Sequence, residues 1–204
     1  MSNPKVYIVD DDEAVLDSIR LLLISVDYEV EIFSSPHAFL GQAGSVSAGC
    51  LLLDVRMPGM SGMELQQQLR QRGVPIPIIF LTGHGDVPMA VQAMQAGAFD
   101  FLQKPFRDQD LLDRIAEALA QDQNRRSIQN HLEQVQERVA LLSPREREVL
   151  DWVVQGHANK VIALELDLSQ RTVEIHRARV MEKMQAKSLA DLVRMMLLLE
   201  NENR

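Results

Sequence analysis

A single cysteine among 204 residues leaves nothing for an internal disulfide to form with. Cys50 lies in the apolar run 50–53, where it reads as a small buried hydrophobe of a reducing compartment. No apolar stretch is long enough to span a bilayer. The opening MSNPKVYIVDDD holds no basic segment followed by an apolar stretch and a cleavage site. The expectation is a soluble, unprocessed, cytoplasmic protein without a membrane partner. The five histidines are scattered, with no HExxH-type pair, so none reads as a metal ligand. No Gly-x-Gly-x-x-Gly follows the first expected strand, which argues against a dinucleotide-binding oxidoreductase.

There is also no excess of positive charge. The net charge of −8 seems wrong for a nucleic-acid binder until it is divided by region. Residues 1–122 carry 8 lysines and arginines against 17 aspartates and glutamates; residues 123–142 carry 3 against 2, and residues 143–204 carry 10 against 10. The acid belongs to the first part, and a neutral third part binds DNA if its cations share one face. Hydrophobic (46%) and charged (25%) contents are those of an ordinary globular chain, long enough for one large domain or two modest ones.

Short β-rich runs alternate with helical patterns through the first part: strands at 6–9, 30–33, 51–55, 78–81 and 99–102, and helices at 13–25, near Ala38, at 61–72, at 87–96 and from Asp108. Five strands alternating with five helices predict an α/β doubly wound parallel sheet covered on both faces, with its functional crevice at the carboxyl ends of the strands. Strand order does not follow from the pattern. From Gln109 the chain reads helical to Leu142, and Ile128, Leu132, Val135, Val139 and Leu142 recur at spacings of four and three. That seam covers about two heptads and fits either a dimer contact or a stripe packed on one of the domains. The last part is all-α, with four helices. Ser143-Pro144-Arg145-Glu146 is a capping box opening a helix that stops at Gly156; a second helix covers 159–166, Ser169 caps a third reaching Met184, and Ser188 caps a fourth. The expected organisation is thus 1–122, a helical linker 123–142, and 143–204.

Asp10, Asp11 and Asp12 follow the first strand and Asp54 ends the third, so a parallel sheet brings their carboxylates to one edge. Alone, the triplet reads more readily as an N-cap for the helix that begins near Glu13. The rest of the edge shifts that reading: Thr82 and the small Gly83 end strand four, and Lys104-Pro105 ends strand five. A carboxylate nucleophile (Asp54), oxygen ligands suited to Mg²⁺, a hydroxyl donor and a cation meet the needs of phosphoryl transfer to a carboxylate, and Gly83 leaves room for the phosphoryl group. In the third part a helix, a short turn and a capped helix match a helix-turn-helix; a small helical dimerisation domain is the alternative. Arg171, Arg177, Arg179, Lys183 and Lys187 cluster on or just after the third helix and favour nucleic acid. Trp152 reads as core.

The motifs Val9-Asp10-Asp11-Asp12, Leu53-Asp54-Val55-Arg56-Met57-Pro58-Gly59-Met60-Ser61-Gly62, Leu81-Thr82-Gly83-His84-Gly85 and Lys104-Pro105-Phe106 resemble a receiver domain, of CheY/flavodoxin-like fold, at each signature position. The resemblance implies that Asp54 is the phosphoacceptor and that Asp11, Asp54 and the Arg56 carbonyl bind Mg²⁺, with Asp10 helping to hold it. It also implies that Thr82 and Lys104 bind phosphoryl oxygens, that Lys104-Pro105 is cis, and that Thr82 and Phe101 form the switch. His84, beside the phosphate site, is a candidate for tuning phosphate lifetime. Residues 142–150, with Asn159-Lys160-Val161-Ile162-Ala163 and Thr172-Val173-Glu174-Ile175-His176-Arg177, resemble the LuxR-type module of the NarL/FixJ family, the FixJ-like and StyR-like regulators in particular. That resemblance turns Glu174, Ile175 and Ala178 toward base edges and Lys160, Thr172, Arg179 and Lys183 toward phosphates, with Arg171 in the same basic cluster.

The function so implied is a two-component response regulator and transcription factor. Its expected partners are a sensor histidine kinase, promoter double-stranded DNA and RNA polymerase, with a homodimer forming on phosphorylation. Its only catalysis would be its own phosphoryl transfer and dephosphorylation. An aspartate-nucleophile phosphatase would need a second acid where Arg56 stands. A phosphorylation-dependent adaptor whose C-terminal helices bind protein is the remaining alternative.

Overall fold

A computed structural model describes residues 5–46, 48–83 and 87–202; His84 lies outside them. The chain divides into two compact units, one ending at Arg125 and one beginning at Arg126.

In the first unit the apolar runs become strands β1 (Lys5–Val9), β2 (Glu29–Phe33), β3 (Gly49–Asp54), β4 (Ile78–Thr82) and β5 (Asp100–Gln103). They alternate with helices α1 (Glu13–Ser25), α2 (Pro36–Gln42), α3 (Gly62–Gln71), α4 (Val87–Gln95) and the start of α5 (Asp108–Ala140). A short 3-10 turn at Ala43–Ser45 was not anticipated. All neighbouring strands run parallel in the order β2-β1-β3-β4-β5. The three inner strands are the most apolar and are buried nearly throughout, whereas the edge strands β2 and β5 are half exposed, as a sheet covered on both faces requires. The two-residue period of each strand sorts its side chains. Tyr7, Val9, Leu51, Leu53 and Phe80 enter one core with α2 and α3. Val6, Ile8, Cys50, Leu52, Ile79 and Leu81 enter the other, against Leu16, Ile19 and Leu23 of α1 and Leu111, Ile115 and Ala118 of α5. Each of these large side chains, fully buried, contributes about 1.5–3 kcal/mol. Cys50 is buried in the second core, and desolvation pushes its thiol up to about 12, so it stays an inert packing group.

At the amino end of the sheet β3 begins on Gly49, with φ at 154°, where a Cβ would come within 1.9 Å of the Lys5 carbonyl oxygen. The Gly49 amide donates to the buried Asp122 carboxylate (3.0 Å), whose other oxygen accepts from Arg125 at 2.6 Å. This contact ties α5 to the sheet across 73 residues of sequence.

The second unit contains the C-terminal stretch of α5, then α6 (Pro144–Val154), α7 (Asn159–Glu165), α8 (Gln170–Met184) and α9 (Leu189–Glu202). The expected caps form. Ser143 and Glu146 close a capping box with Pro144 in the first turn, Gly156 follows α6 at φ 85°, and the Ser169 hydroxyl accepts from the Thr172 amide. Val149, Leu150, Val153, Ile162, Val173, Val180, Met184 and Leu192 make the core, and Trp152 packs against it edge-on to His157. Val135 and Leu142 are buried in that same core with Val139 beside them. The two readings of the seam thereby separate: at these three positions it is a stripe packed into its own unit, while Ile128, 49% exposed, stays outside the core. Helix α5 is unbroken from Asp108 to Ala140. Among the described residues no helix is long and apolar enough to cross a membrane.

Candidate phosphoryl-transfer site and nucleic-acid interface

Asp10 just beyond β1, Asp54 at the end of β3, Thr82 at the end of β4 and Lys104 just beyond β5 meet at the carboxyl edge of the sheet because their strands run parallel. The Lys104 Nζ donates to Asp10 Oδ2 and to Asp54 Oδ1, each at 2.7 Å. The second oxygen of each carboxylate is also held: Asp10 Oδ1 accepts from the Asp12 amide (3.0 Å) and Asp54 Oδ2 from the Arg56 amide (2.7 Å). The Lys104–Pro105 peptide is cis, and the Lys104 amide donates to the Thr82 carbonyl at 2.7 Å, which fixes the turn carrying the ammonium.

Burial pushes the Asp54 carboxyl above its usual range; the Lys104 ammonium opposes that shift and the nearby Asp10 charge adds to it. Burial works against the Lys104 charge too, but hydrogen bonds and attraction from both carboxylates outweigh it and hold the ammonium above its ordinary value. Asp54 is therefore a desolvated carboxylate held by one cation and by the Arg56 amide. Gly62 at the start of α3 makes this packing possible, since a Cβ there would come within 2.2 Å of the Asp54 carbonyl oxygen. Thr82 is buried and its hydroxyl donates to the Gly83 carbonyl at 3.2 Å, while Gly83 itself is exposed with open space where a side chain would stand.

The acidic triplet divides its tasks. Asp12 is the N-cap of α1, its carboxylate accepting from the Ala14 and Val15 amides. Asp10, 1% exposed, belongs to the site, and Asp11 is exposed. Asp12 thus carries the cap, and Asp10 joins Asp54 around Lys104. Among the described residues no three acidic, histidine or cysteine side chains gather into a complete metal cage. The donors suit Mg²⁺ nonetheless. They are all oxygen, with Asp10 and Asp54 together around Lys104 and Asp11 exposed next to Asp10 in the chain; this ion takes one or two carboxylates and keeps its remaining places for water and phosphate. Phe101, expected as part of the switch, is 39% exposed on β5.

In the second unit α8 buries Val173, Val180 and Met184, which leaves Arg171, Glu174, Ile175, Ala178 and Arg179 exposed away from the core. Lys160 is exposed on α7 and Thr172 is half-buried at the start of α8, its hydroxyl 2.8 Å from that of Ser169. Two of the clustered cations are engaged inside the unit. Arg177 donates to the Asn159 side chain at 3.1 Å. Lys183 donates to the buried Glu146 carboxylate at 2.6 Å and to the Leu141 carbonyl at 3.1 Å, so its ammonium holds α8 to the start of α6. Glu146 supplied only a cap in the sequence reading; nothing in its spacing reveals that Lys183 meets it 37 residues on.

Residues 6–116 match the family described as response regulator receiver domain, and residues 140–196 that of bacterial regulatory proteins, luxR family. The response regulator protein TodT of Pseudomonas putida is 49% identical over 189 residues, 93% of this chain and 83% of that protein. The transcriptional regulatory protein FixJ of Bradyrhizobium diazoefficiens is 46% identical over 190 residues, 93% of each chain. A solved structure of the response regulator StyR matches 96% of this chain and 98% of that one at 45% identity, with a TM-score of 0.88. Full-length FixJ from B. japonicum matches 98% and 99% at 44% identity, with a TM-score of 0.62.

Proposed function

Because the chain belongs to the FixJ-like two-component response regulators, transcription regulators with a receiver domain and a LuxR-type DNA-binding domain, we propose that phosphorylation of Asp54 by a sensor histidine kinase promotes dimerisation and sequence-specific promoter binding. The observation that carries this reading is the Lys104 ammonium lying 2.7 Å from both Asp10 and Asp54 at the sheet's carboxyl edge. A carboxylate oxygen of Asp54 attacks the phosphorus of a kinase phosphohistidine; a P–O bond forms, the P–N bond breaks, and the imidazole leaves and takes up a proton. Lys104 then faces the phosphoryl oxygens, and the Thr82 hydroxyl turns from the Gly83 carbonyl to donate to one of them. Asp10, Asp11, Asp54 and the Arg56 carbonyl would hold Mg²⁺, which when bound neutralises charge on the phosphoryl group. The only reactions are the protein's own phosphorylation and dephosphorylation.

The new dianion binds better to one arrangement of Thr82 and Phe101 than to the other, and so biases a two-state equilibrium. The surface of α4, β5 and the first turns of α5 pairs two copies, and two α8 helices meet half-sites about one helical turn apart. Arg171, Arg179, Lys160 and Thr172 approach phosphates, with Lys183 anchoring α8 behind them, and RNA polymerase is recruited to activate transcription. We assign the organisation as receiver 1–122, linker 123–142 and DNA-binding domain 143–204, working in the cytoplasm. The test is phosphate incorporation from a small-molecule phosphodonor with Mg²⁺: one equivalent on the wild-type chain and none on Asp54→Asn supports the site, and equal incorporation on both refutes it.

A further inference from the structure

We propose that Glu174, Ile175 and Ala178 commit α8 to a half-site holding a cytosine within two base-pair steps of a thymine. The inference rests on the DNA-binding reading of α8 and names what that helix reads.

The core fixes the face. Val173, Val180 and Met184 are buried and Arg177 is turned to Asn159, so Glu174, Ile175 and Ala178 are left on the exposed side, with Arg171 and Arg179 beside them. Two of these residues are unusual for a helix flanked by cations. The Glu174 side chain is exposed and takes part in no hydrogen bond or ion pair among the described residues, although three arginines lie within five positions of it on the same helix. Ile175 leaves 46% of its surface in solvent.

A free carboxylate directed into a groove walled by phosphates is repelled unless it accepts a hydrogen bond there. The major groove offers donors only on the amino groups of cytosine and adenine. Adenine sets its N7 acceptor beside that donor, and guanine and thymine present acceptors, so the carboxylate favours cytosine and disfavours the other three bases. An aliphatic side chain on the same face finds apolar contact in the groove only at the thymine methyl, which assigns Ile175 and Ala178. Glu174 and Ala178 are one helical turn apart, about 5–6 Å between Cβ atoms. Base pairs rise about 3.4 Å, so the two residues reach pairs no more than two steps apart. Arg171, Arg179 and Lys160 offset the repulsion of Glu174 by phosphate and leave its selectivity intact.

The experiment is selection from a pool of randomised duplexes by the full chain, treated with a small-molecule phosphodonor and Mg²⁺, as wild type, Glu174→Gln and Ile175→Ala. Circular dichroism checks that the variants keep their helix content, since both side chains are exposed. Wild type is expected to enrich a motif with the cytosine and thymine so spaced. Glu174→Gln should reduce the cytosine preference about tenfold and admit adenine, which glutamine contacts through two hydrogen bonds. Ile175→Ala should weaken the thymine preference about fivefold and leave the cytosine intact. A wild-type motif without this cytosine, or one that Glu174→Gln leaves unchanged at every position, overturns the assignment while DNA binding stands. Absence of any salt-dependent binding by all three proteins overturns the DNA-binding reading along with it.

Discussion

The charges at the sheet edge and those on α8 are arranged on opposite principles. Asp10, Asp54 and Lys104 are largely buried and bound to one another, each carboxylate using both oxygens. The side chains of Arg171, Glu174 and Arg179 are exposed, without hydrogen bonds or ion pairs among the described residues. A buried charge must be compensated within the protein, so the first site is already assembled in the chain alone. An exposed charge keeps its hydration until a partner displaces it, so on the proposed reading the second site is completed by DNA. Lys183 shows the boundary between the two: it lies on α8 with the exposed cations, yet its ion pair with the buried Glu146 makes it part of the frame.

The largest effect is expected at Lys104. Lys104→Met leaves two buried carboxylates without their cation and should slow phosphate incorporation from a phosphodonor by about two orders of magnitude. The same change in an exposed cation of α8, Arg171→Met, should leave incorporation unaltered.

Glu146→Ala removes both the cap and the Lys183 partner, and should destabilise the second unit by about 2 kcal/mol in urea unfolding. The Lys183 ammonium, with the Ser143 amide, holds the Glu146 carboxyl down to about 2 from an ordinary 4.5. Its folded-state value is depressed, so its stabilisation is fully present above pH 4.5 and is lost as the pH falls toward 2. Acid unfolding followed by circular dichroism should show this loss in wild type, and Glu146→Ala should lack that component.

The exposed cations should behave as independent phosphate contacts. Arg171→Ala and Lys160→Ala should each weaken DNA binding across all sequences and reduce the slope of log affinity against log salt by about 1. A change in sequence preference would instead place them among the base-reading residues.

The smallest effect is expected at Gln66. Its Nε2 donates to the Ala93 carbonyl at 3.3 Å, but its buried Oε1 has no donor among the described residues. Gln66→Leu should therefore leave stability unchanged or raise it by up to about 1 kcal/mol in urea unfolding.

Much of this arrangement was legible in the chain. Parallel strands place every residue that follows a strand on one edge, so Asp10, Asp54, Thr82 and Lys104 could be grouped from periodicity alone. The caps at Ser143 and Ser169 were equally local, because a cap depends on neighbours three residues away. What escaped the sequence depended on contacts between distant elements. Asp122 sits among the polar residues near the middle of α5 and gives no sign of the Gly49 amide it binds. The seam through Val135, Val139 and Leu142 announced an apolar partner without identifying it, since a helix of the same chain and a second copy demand the same pattern. Strand order was hidden for the same reason: apolar content distinguishes inner strands from edges, but it does not rank them.

The most direct test of the account is DNA binding by the full chain, with and without a phosphodonor plus Mg²⁺, beside Asp54→Asn. Specific, salt-dependent binding should be strengthened about tenfold or more by the phosphodonor in wild type and unmoved in the variant. Specific binding of equal strength in all four conditions would contradict it, because α8 would then read DNA without reference to Asp54.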